Sequence, residues 1–491
     1  MKKDQRKSKG KTKVWIIAGV VLTVMATSAV AYGLPMGGDH HPPGGPRGGH
    51  RPPHGFPIPF EHYFMDLLGH FYQGGEDLSH QPQELTPSDQ LEVANPNDQG
   101  QSSTDLGDQG DFSYTIVDTG QANTVSINGK TPQGQDGHYT GLEMAYTNNG
   151  DGTITDLNTQ LMWTQDPGDK MTYEQALAKL EDLNTRGYTD WRLPTIKELY
   201  SLIDFSGKDI SPENTTVKDS WTPFINQDYF AFEYGDPSQG ERVIDAQFLS
   251  STIYTGTTMN GNETAFGVNF ADGRIKGYPI HNDRSPNGEK TFFVLFVRGH
   301  DQYGLNHYVD NGDGTVTDLN TGLMWLQGDS GGFDLDQGGA LTWEEGLAWA
   351  EDLSYAGYDD WRVPNAKELQ SIVDYGRSPQ ADRTPAIDPI FSTTSIVDEG
   401  GQENYPFYWS STLHFSQAGH TTGVYFAFGE ALGFMNTPRG LELMDVHGAG
   451  AQRTDPLEGD ASDYPSGKGP QGDVIRIQNF VRPVRWVEVV D

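Results

Sequence analysis

From about residue 112 onward the chain is written twice, and this duplication limits its possible folds more than any other feature. Asn149-Gly150-Asp151-Gly152-Thr153-Ile154-Thr155-Asp156 returns as Asn311-Gly312-Asp313-Gly314-Thr315-Val316-Thr317-Asp318. Leu161-Met162-Trp163 returns as Leu323-Met324-Trp325. Asp190-Trp191-Arg192-Leu193-Pro194 and Lys197-Glu198-Leu199 return as Asp360-Trp361-Arg362-Val363-Pro364 and Lys367-Glu368-Leu369. Ser250-Ser251-Thr252 returns as Ser410-Ser411-Thr412, and Phe296-Val297-Arg298 aligns with Phe480-Val481-Arg482. A period this long is a whole domain, not a solenoid unit. The expected domains are 112–299 and 303–491, joined near Gly299-His300-Asp301, each closing around its own tryptophan-bearing interior.

Both copies read alike locally. Asn-Gly-Asp-Gly predicts a hairpin turn, because Gly and Asn accept positive φ. A strand should follow from Thr153 to Trp163, and from Thr315 to Trp325. Thr172 with Gln175, Thr342 with Glu345, Thr195 with Glu198 and Asn365 with Glu368 are spaced as capping boxes that open helices. The helices should bury Leu177, Leu180 and Leu183, then Leu199, Leu202 and Ile203, with Leu347, Ala350, Leu353, Leu369, Ile372 and Val373 as counterparts. The fold class is α+β: in each copy two helices lie on a small, mostly antiparallel sheet with long loops.

Composition excludes several functions. The chain has no Cys, so disulfide frameworks, thiolate metal sites and cysteine nucleophiles are absent. The formal charge of −35 argues against nucleic acid as a partner. Residues 1–34 differ from the rest: seven Lys and Arg before Val14 precede an uncharged apolar run ending in Ala29-Val30-Ala31. That pattern is a signal peptide or a retained N-terminal anchor, the one segment expected to meet a membrane. Either way the remainder is exported. Residues 35–111 are a Gly/Pro/His-rich and then polar linker, too poor in apolar surface to offset chain entropy.

The repeated string, Asn-Gly-Asp-Gly-Thr through Leu-Met-Trp, Trp-Arg-Leu/Val-Pro, Lys-Glu-Leu and Ser-Ser-Thr, resembles the Lcl C-terminal-like domain family. The resemblance covers both copies. It implies a C-type-lectin-like fold and an exported bacterial surface protein, and it leaves room for an oligomer. The family's namesake is an adhesin that binds sulfated glycosaminoglycans. Here the strongly acidic exported part would repel such polyanions.

Asn149, Asp151, Asp156, Asn311, Asp313 and Asp318 are the candidate metal ligands, with calcium the ion suited to their hard oxygens. Hairpin stabilisation is the competing reading, since Thr147 and Val309 stand where a calcium loop would place its first Asp. Trp191-Arg192 and Trp361-Arg362 are either an aromatic–cation face for sugars or core Trp with Arg paired to Asp190 and Asp360. No His-Glu-x-x-His or phosphate loop is present, and no His matches in both copies near Ser-Ser-Thr. A non-catalytic binding or adhesion role is expected, towards an extracellular glycan, a matrix component or a surface protein. The alternatives are a structural envelope protein and an enzyme acting on an extracellular polymer. No cofactor is required. The stretches 208–248 and 436–473 differ between copies and are the expected recognition surface.

Overall fold

Strand pairing, not helix packing, decides the architecture. The computed structural model describes residues 113–184, 187–211, 220–259, 261–281 and 289–487. The basic-apolar segment 1–34 and the linker 35–111 lie outside the described residues, as does Phe112. Those described form a single compact unit. No helix among them is long and apolar enough to cross a membrane.

The first copy runs β1 (Tyr146–Asn148), β2 (Thr153–Asp156), β3 (Leu161–Thr164), α1 (Tyr173–Leu183), α2 (Ile196–Ser201), β4 (Gln247–Ile253), β5 (Thr264–Asn269), β6 (Arg274–Pro279) and β7 (Val297–Gly299). The second runs β8 (Tyr308–Asp310), β9 (Thr315–Asp318), β10 (Leu323–Leu326), α3 (Trp343–Glu351), α4 (Ala366–Ser371), α5 (Pro379–Asp382), β11 (Ile396–Val397), β12 (Glu403–Asn404), β13 (Phe407–Phe415), β14 (Thr421–Ala427), β15 (Leu432–Thr437), β16 (Gly440–Asp445), β17 (Gln452–Pro456) and β18 (Val484–Trp486). All ladders between these strands are antiparallel. Each copy has a four-stranded sheet, β1-β2-β3-β7 or β8-β9-β10-β18.

The predicted hairpins form, with Gly150 and Gly152 at φ 79° and 86° and Gly312 and Gly314 at 77° and 88°. The single strand expected beyond each turn is instead two. Asp156 accepts the N–H groups of Asn158 and Thr159 and folds the chain back into β3. All four capping boxes form, at Thr172, Thr195, Thr342 and Asn365. Leu199, Leu202, Ile203 and their counterparts are buried as expected, whereas Leu177 is 43% exposed and α1 buries only Ala176 fully.

The expectation of two separate interiors does not hold. Strands β4-β5-β6 and β17-β14-β13 join into one six-stranded sheet, half from each copy, with β6 beside β17 at the seam. The largest apolar cluster takes Trp163, Leu199, Phe248 and Phe266 from one copy and Trp325, Leu369, Tyr408 and Phe426 from the other. The reason is geometric: one copy's strands β4, β5 and β6 end on an edge that needs a partner. The duplicate supplies that edge.

A reciprocal exchange of lysines ties the copies together. Lys197 Nζ donates to the Ser371 carbonyl at 2.6 Å, at the end of α4. Lys367 Nζ donates to the Ser201 carbonyl at 2.9 Å, at the end of α2. Each ammonium thus meets the negative end of the other copy's helix and an otherwise orphaned carbonyl. Burial draws both lysines down to about 8, against the pull of nearby carboxylates.

The lead-in before β1 belongs to the second copy in space. The Gln121 side chain receives Leu413 N–H at 2.7 Å and donates to its carbonyl at 2.6 Å, standing in for a neighbouring strand. Buried Asp136 accepts from Thr119 and Thr412 hydroxyls at 2.7 and 2.5 Å. Lys367 Nζ also donates to the Asp118 carbonyl. Leu413 is therefore buried, while its counterpart Ile253 is only half-buried.

Burial pushes the Asp136 carboxyl up to about 7, the two threonine donors opposing it. Its unfolded value is about 3.9. The fold holds that proton more tightly, so this contribution is fully present below pH 4 and is lost as pH rises through 7. We expect urea midpoints of the wild type to fall between pH 4 and 7, and Asp136→Asn to flatten that decline. Asp445 and Asp455, raised to about 7 and about 6 by burial, keep part of the slope. An unchanged slope in the variant would refute the assignment.

Candidate functional site

The six Asn and Asp residues proposed as calcium ligands serve two separate tasks in each copy. Asn149 Nδ2 donates to Thr153 and Thr155 hydroxyls, and Asp151 accepts Thr153 N–H and hydroxyl, tying the hairpin tip. Asn311 and Asp313 do the same with Thr315 and Thr317. Asp156 and Asp318 sit at the far ends of β2 and β9. Asp318 accepts His307 N–H, Asn320 N–H, the Asn306 amide and the Thr321 hydroxyl, at 2.8–3.1 Å. Among the described residues no group of three His, Asp or Glu side chains is arranged to hold a metal.

Trp191 and Trp361 are core residues, as are Trp163 and Trp325. Their arginines do not take the partners proposed for them. Arg192 pairs with Glu198 and Arg362 makes a two-pronged contact with Glu368 at 2.6 and 2.7 Å. The same two glutamates close the capping boxes of α2 and α4, so one carboxylate satisfies a helix start and a buried cation together. Asp190 and Asp360 pair instead with Arg298 and Arg485. Those arginines lie 3.8 and 3.9 Å above the Tyr188 and Tyr358 rings.

That equivalence corrects the last repeat anchor. Val297 and Val484 occupy matching places against Trp163 and Trp325. Arg298 therefore corresponds to Arg485, and Phe480-Val481-Arg482 corresponds to Phe293-Val294-Leu295. Arg482 is peculiar to the second copy. It is fully buried and donates to the carbonyls of Leu326, Gln327, Gly328 and Ser392.

Ser-Ser-Thr sits at a strand bulge in both copies. The ladder slips between Leu249 and Ile253 and between Trp409 and Leu413. The slip aims Thr252 and Thr412 hydroxyls at the N–H groups of Ile196 and Ala366, each at 2.9 Å. Beyond the bulge the equivalent residues Tyr254 and His414 reach into the opposite copy. The Tyr254 hydroxyl donates to Asp445, and His414 Nε2 contacts the Asp272 carbonyl.

The strongest candidate site lies on the seam. Strands β6 and β17 match at a single residue pair, Gln452 with Ile275, and then diverge. Their divergence opens a cleft of about 380 Å³. Both stretches that differ between the copies meet there: Asp209, Arg242 and Gln247 from the first, Arg453, Lys468 and Asp473 from the second. Alternation along β6 turns Ile275 into the core and Arg274, Lys276 and Tyr278 towards the cleft.

Charge pairs organise this cleft. Arg274 binds Asp209 at 2.8 Å and reaches across the seam to the Thr454 hydroxyl at 3.2 Å. Lys276 pairs with Asp272, and Arg453 pairs with Asp473, which also meets His447 Nε2 at 3.0 Å. Burial opposes charge on Asp209, yet Arg274 and His414 hold its carboxyl well below the usual range. Burial also draws His414 and His447 down to about 4, leaving both neutral at pH 7. Lys276 falls to about 8 through burial, with Arg453 and Arg274 adding to the shift and Asp272 opposing it.

The family profile described as Lcl C-terminal domain matches residues 152–298 and 314–440. The second match stops before β17 and β18, which the structure shows to be the counterparts of β6 and β7. No curated protein and no solved structure matches the chain.

If Asp318 is a fold-holding acceptor, Asp318→Ala strands several buried donors and should cost roughly 3 kcal/mol in urea unfolding. Asp151→Ala, at an exposed hairpin tip, should shift the midpoint far less. Equal losses would contradict the division of tasks.

Proposed function

The chain belongs to the Lcl C-terminal domain family, in two tandem copies, and from that premise we propose that it is an exported bacterial surface protein with a non-catalytic binding role. Its target is an extracellular glycan, a matrix component or another surface protein. Each copy is taken as a C-type-lectin-like unit, a scaffold that carries recognition on its variable stretches. The N-terminal basic and apolar segments support export. Two joined copies also suit a repetitive surface, where a second contact follows the first at high effective concentration.

One observation carries the binding reading. Repeats hold their shared parts for folding, as the capping boxes, core tryptophans and hairpins attest. The parts that differ are free to serve recognition, and here both divergent stretches converge on one cleft. Its volume is within the range of ligand clefts, about 300–1,000 Å³.

Full-length protein applied to glycan and matrix arrays, with and without calcium, tests this. Saturable binding to at least one class is expected. Uniform failure in both conditions would favour the structural envelope alternative. Release of shortened products from a bound polymer would favour the enzyme.

A further inference from the structure

We infer that the seam cleft binds a saccharide bearing an isolated carboxylate, with Arg453 and Lys468 receiving the anion. This rests on the binding reading above and names the ligand class.

The argument begins with charge. Acidic side chains outnumber basic ones by 68 to 33 over the chain. The cleft reverses that ratio. Arg242, Arg274, Lys276, Arg453 and Lys468 line it, against Asp209, Asp272 and Asp473, with Asp245 paired to Arg242 behind the wall. With His414 neutral, the wall is cationic inside a strongly acidic molecule. Low-dielectric walls concentrate that local field on whatever enters.

Hydrogen-bonding capacity locates the anion. Asp473 takes one nitrogen of Arg453, Nη2. The Nε and Nη1 atoms of Arg453 are buried and have no hydrogen-bond partner among the described residues. These two donors lie on different edges of the guanidinium, so each suits a single oxygen of an anion. Lys468, exposed at the rim, has no carboxylate within ion-pair distance among the described residues.

The remaining wall selects against dense polyanions. Three carboxylates would repel a ligand charged at every unit, but they accept hydrogen bonds from hydroxyls. Ser211, Gln247, Thr422 and Gln471 add neutral donors and acceptors. A polyhydroxylated ring with one carboxylate satisfies both halves of the wall. The cleft also needs strands from both copies, so a single copy would not form it.

Calorimetric titration of the full chain with a disaccharide of one galacturonate and one neutral hexose, its methyl ester and inorganic phosphate decides the matter. The free acid should bind saturably, at least ten-fold more tightly than the ester or phosphate. Lys468→Glu, an exposed change, should weaken it at least ten-fold at unchanged melting temperature, and Arg453→Gln should do so where it folds. Absent binding, equal affinity for ester or phosphate, or indifference to Lys468→Glu would overturn the inference. Array binding that survives Lys468→Glu would sink the cleft while leaving the broader binding reading intact. Silent arrays together with absent calorimetric binding would sink both.

Discussion

The joining of β6 to β17 is the contact on which the rest of the molecule depends. One backbone match there converts two open sheets into one and lets a single apolar interior run through both copies. An open edge of this kind invites pairing with a foreign strand. The duplicate occupies that edge, and the crossed lysines hold the two halves in register. The Lys of each Lys-Glu-Leu string thus acts between copies, the Glu acts within one, and the Leu joins the shared interior.

Near-symmetry then creates difference. Residues under the shared load of folding remain alike, down to the placement of Arg298 and Arg485 over Tyr188 and Tyr358. Residues at the diverging ends of the central strands carry no such load. They hold unlike side chains on the two sides, and the resulting cleft has no counterpart within either copy. Buried ion pairs are weak contributors to stability when well-packed apolar groups could replace them. Their concentration along this cleft fixes the charge pattern of its wall.

Much of the local structure was legible in the sequence. Thr172, Thr195, Thr342 and Asn365 cap helices where their spacing placed them, and the Asn-Gly-Asp-Gly turns form. Tertiary partners were less legible. Arg192 is nearer in sequence to Asp190 than to Glu198, so proximity along the chain favoured the wrong carboxylate, and only the fold chooses. Shared and separate sheets carry the same alternation, so periodicity could not distinguish them. The slip in the last anchor has a plain cause. The first copy writes Phe293-Val294-Leu295 before Phe296-Val297-Arg298, and the second writes Phe480-Val481-Arg482 before Pro483-Val484-Arg485. A matching tripeptide thus lay one step from the true equivalent. Arg453 and Lys468 stood out by no motif; only their lying in a stretch that fails to repeat marked them.

The docking of the lead-in on the far copy has a consequence for how the molecule comes into being. Gln121 leaves the ribosome 292 residues before Leu413, the group whose backbone it brackets. At roughly 5–20 residues per second, that delay is on the order of 15–60 s. Throughout it the nascent Gln amide and Asp136 carboxyl must remain hydrated, with no surface of their own to close upon. The earliest-made portion of the described residues is therefore fastened to a strand made much later, and a chain halted before β13 would leave that portion unmoored.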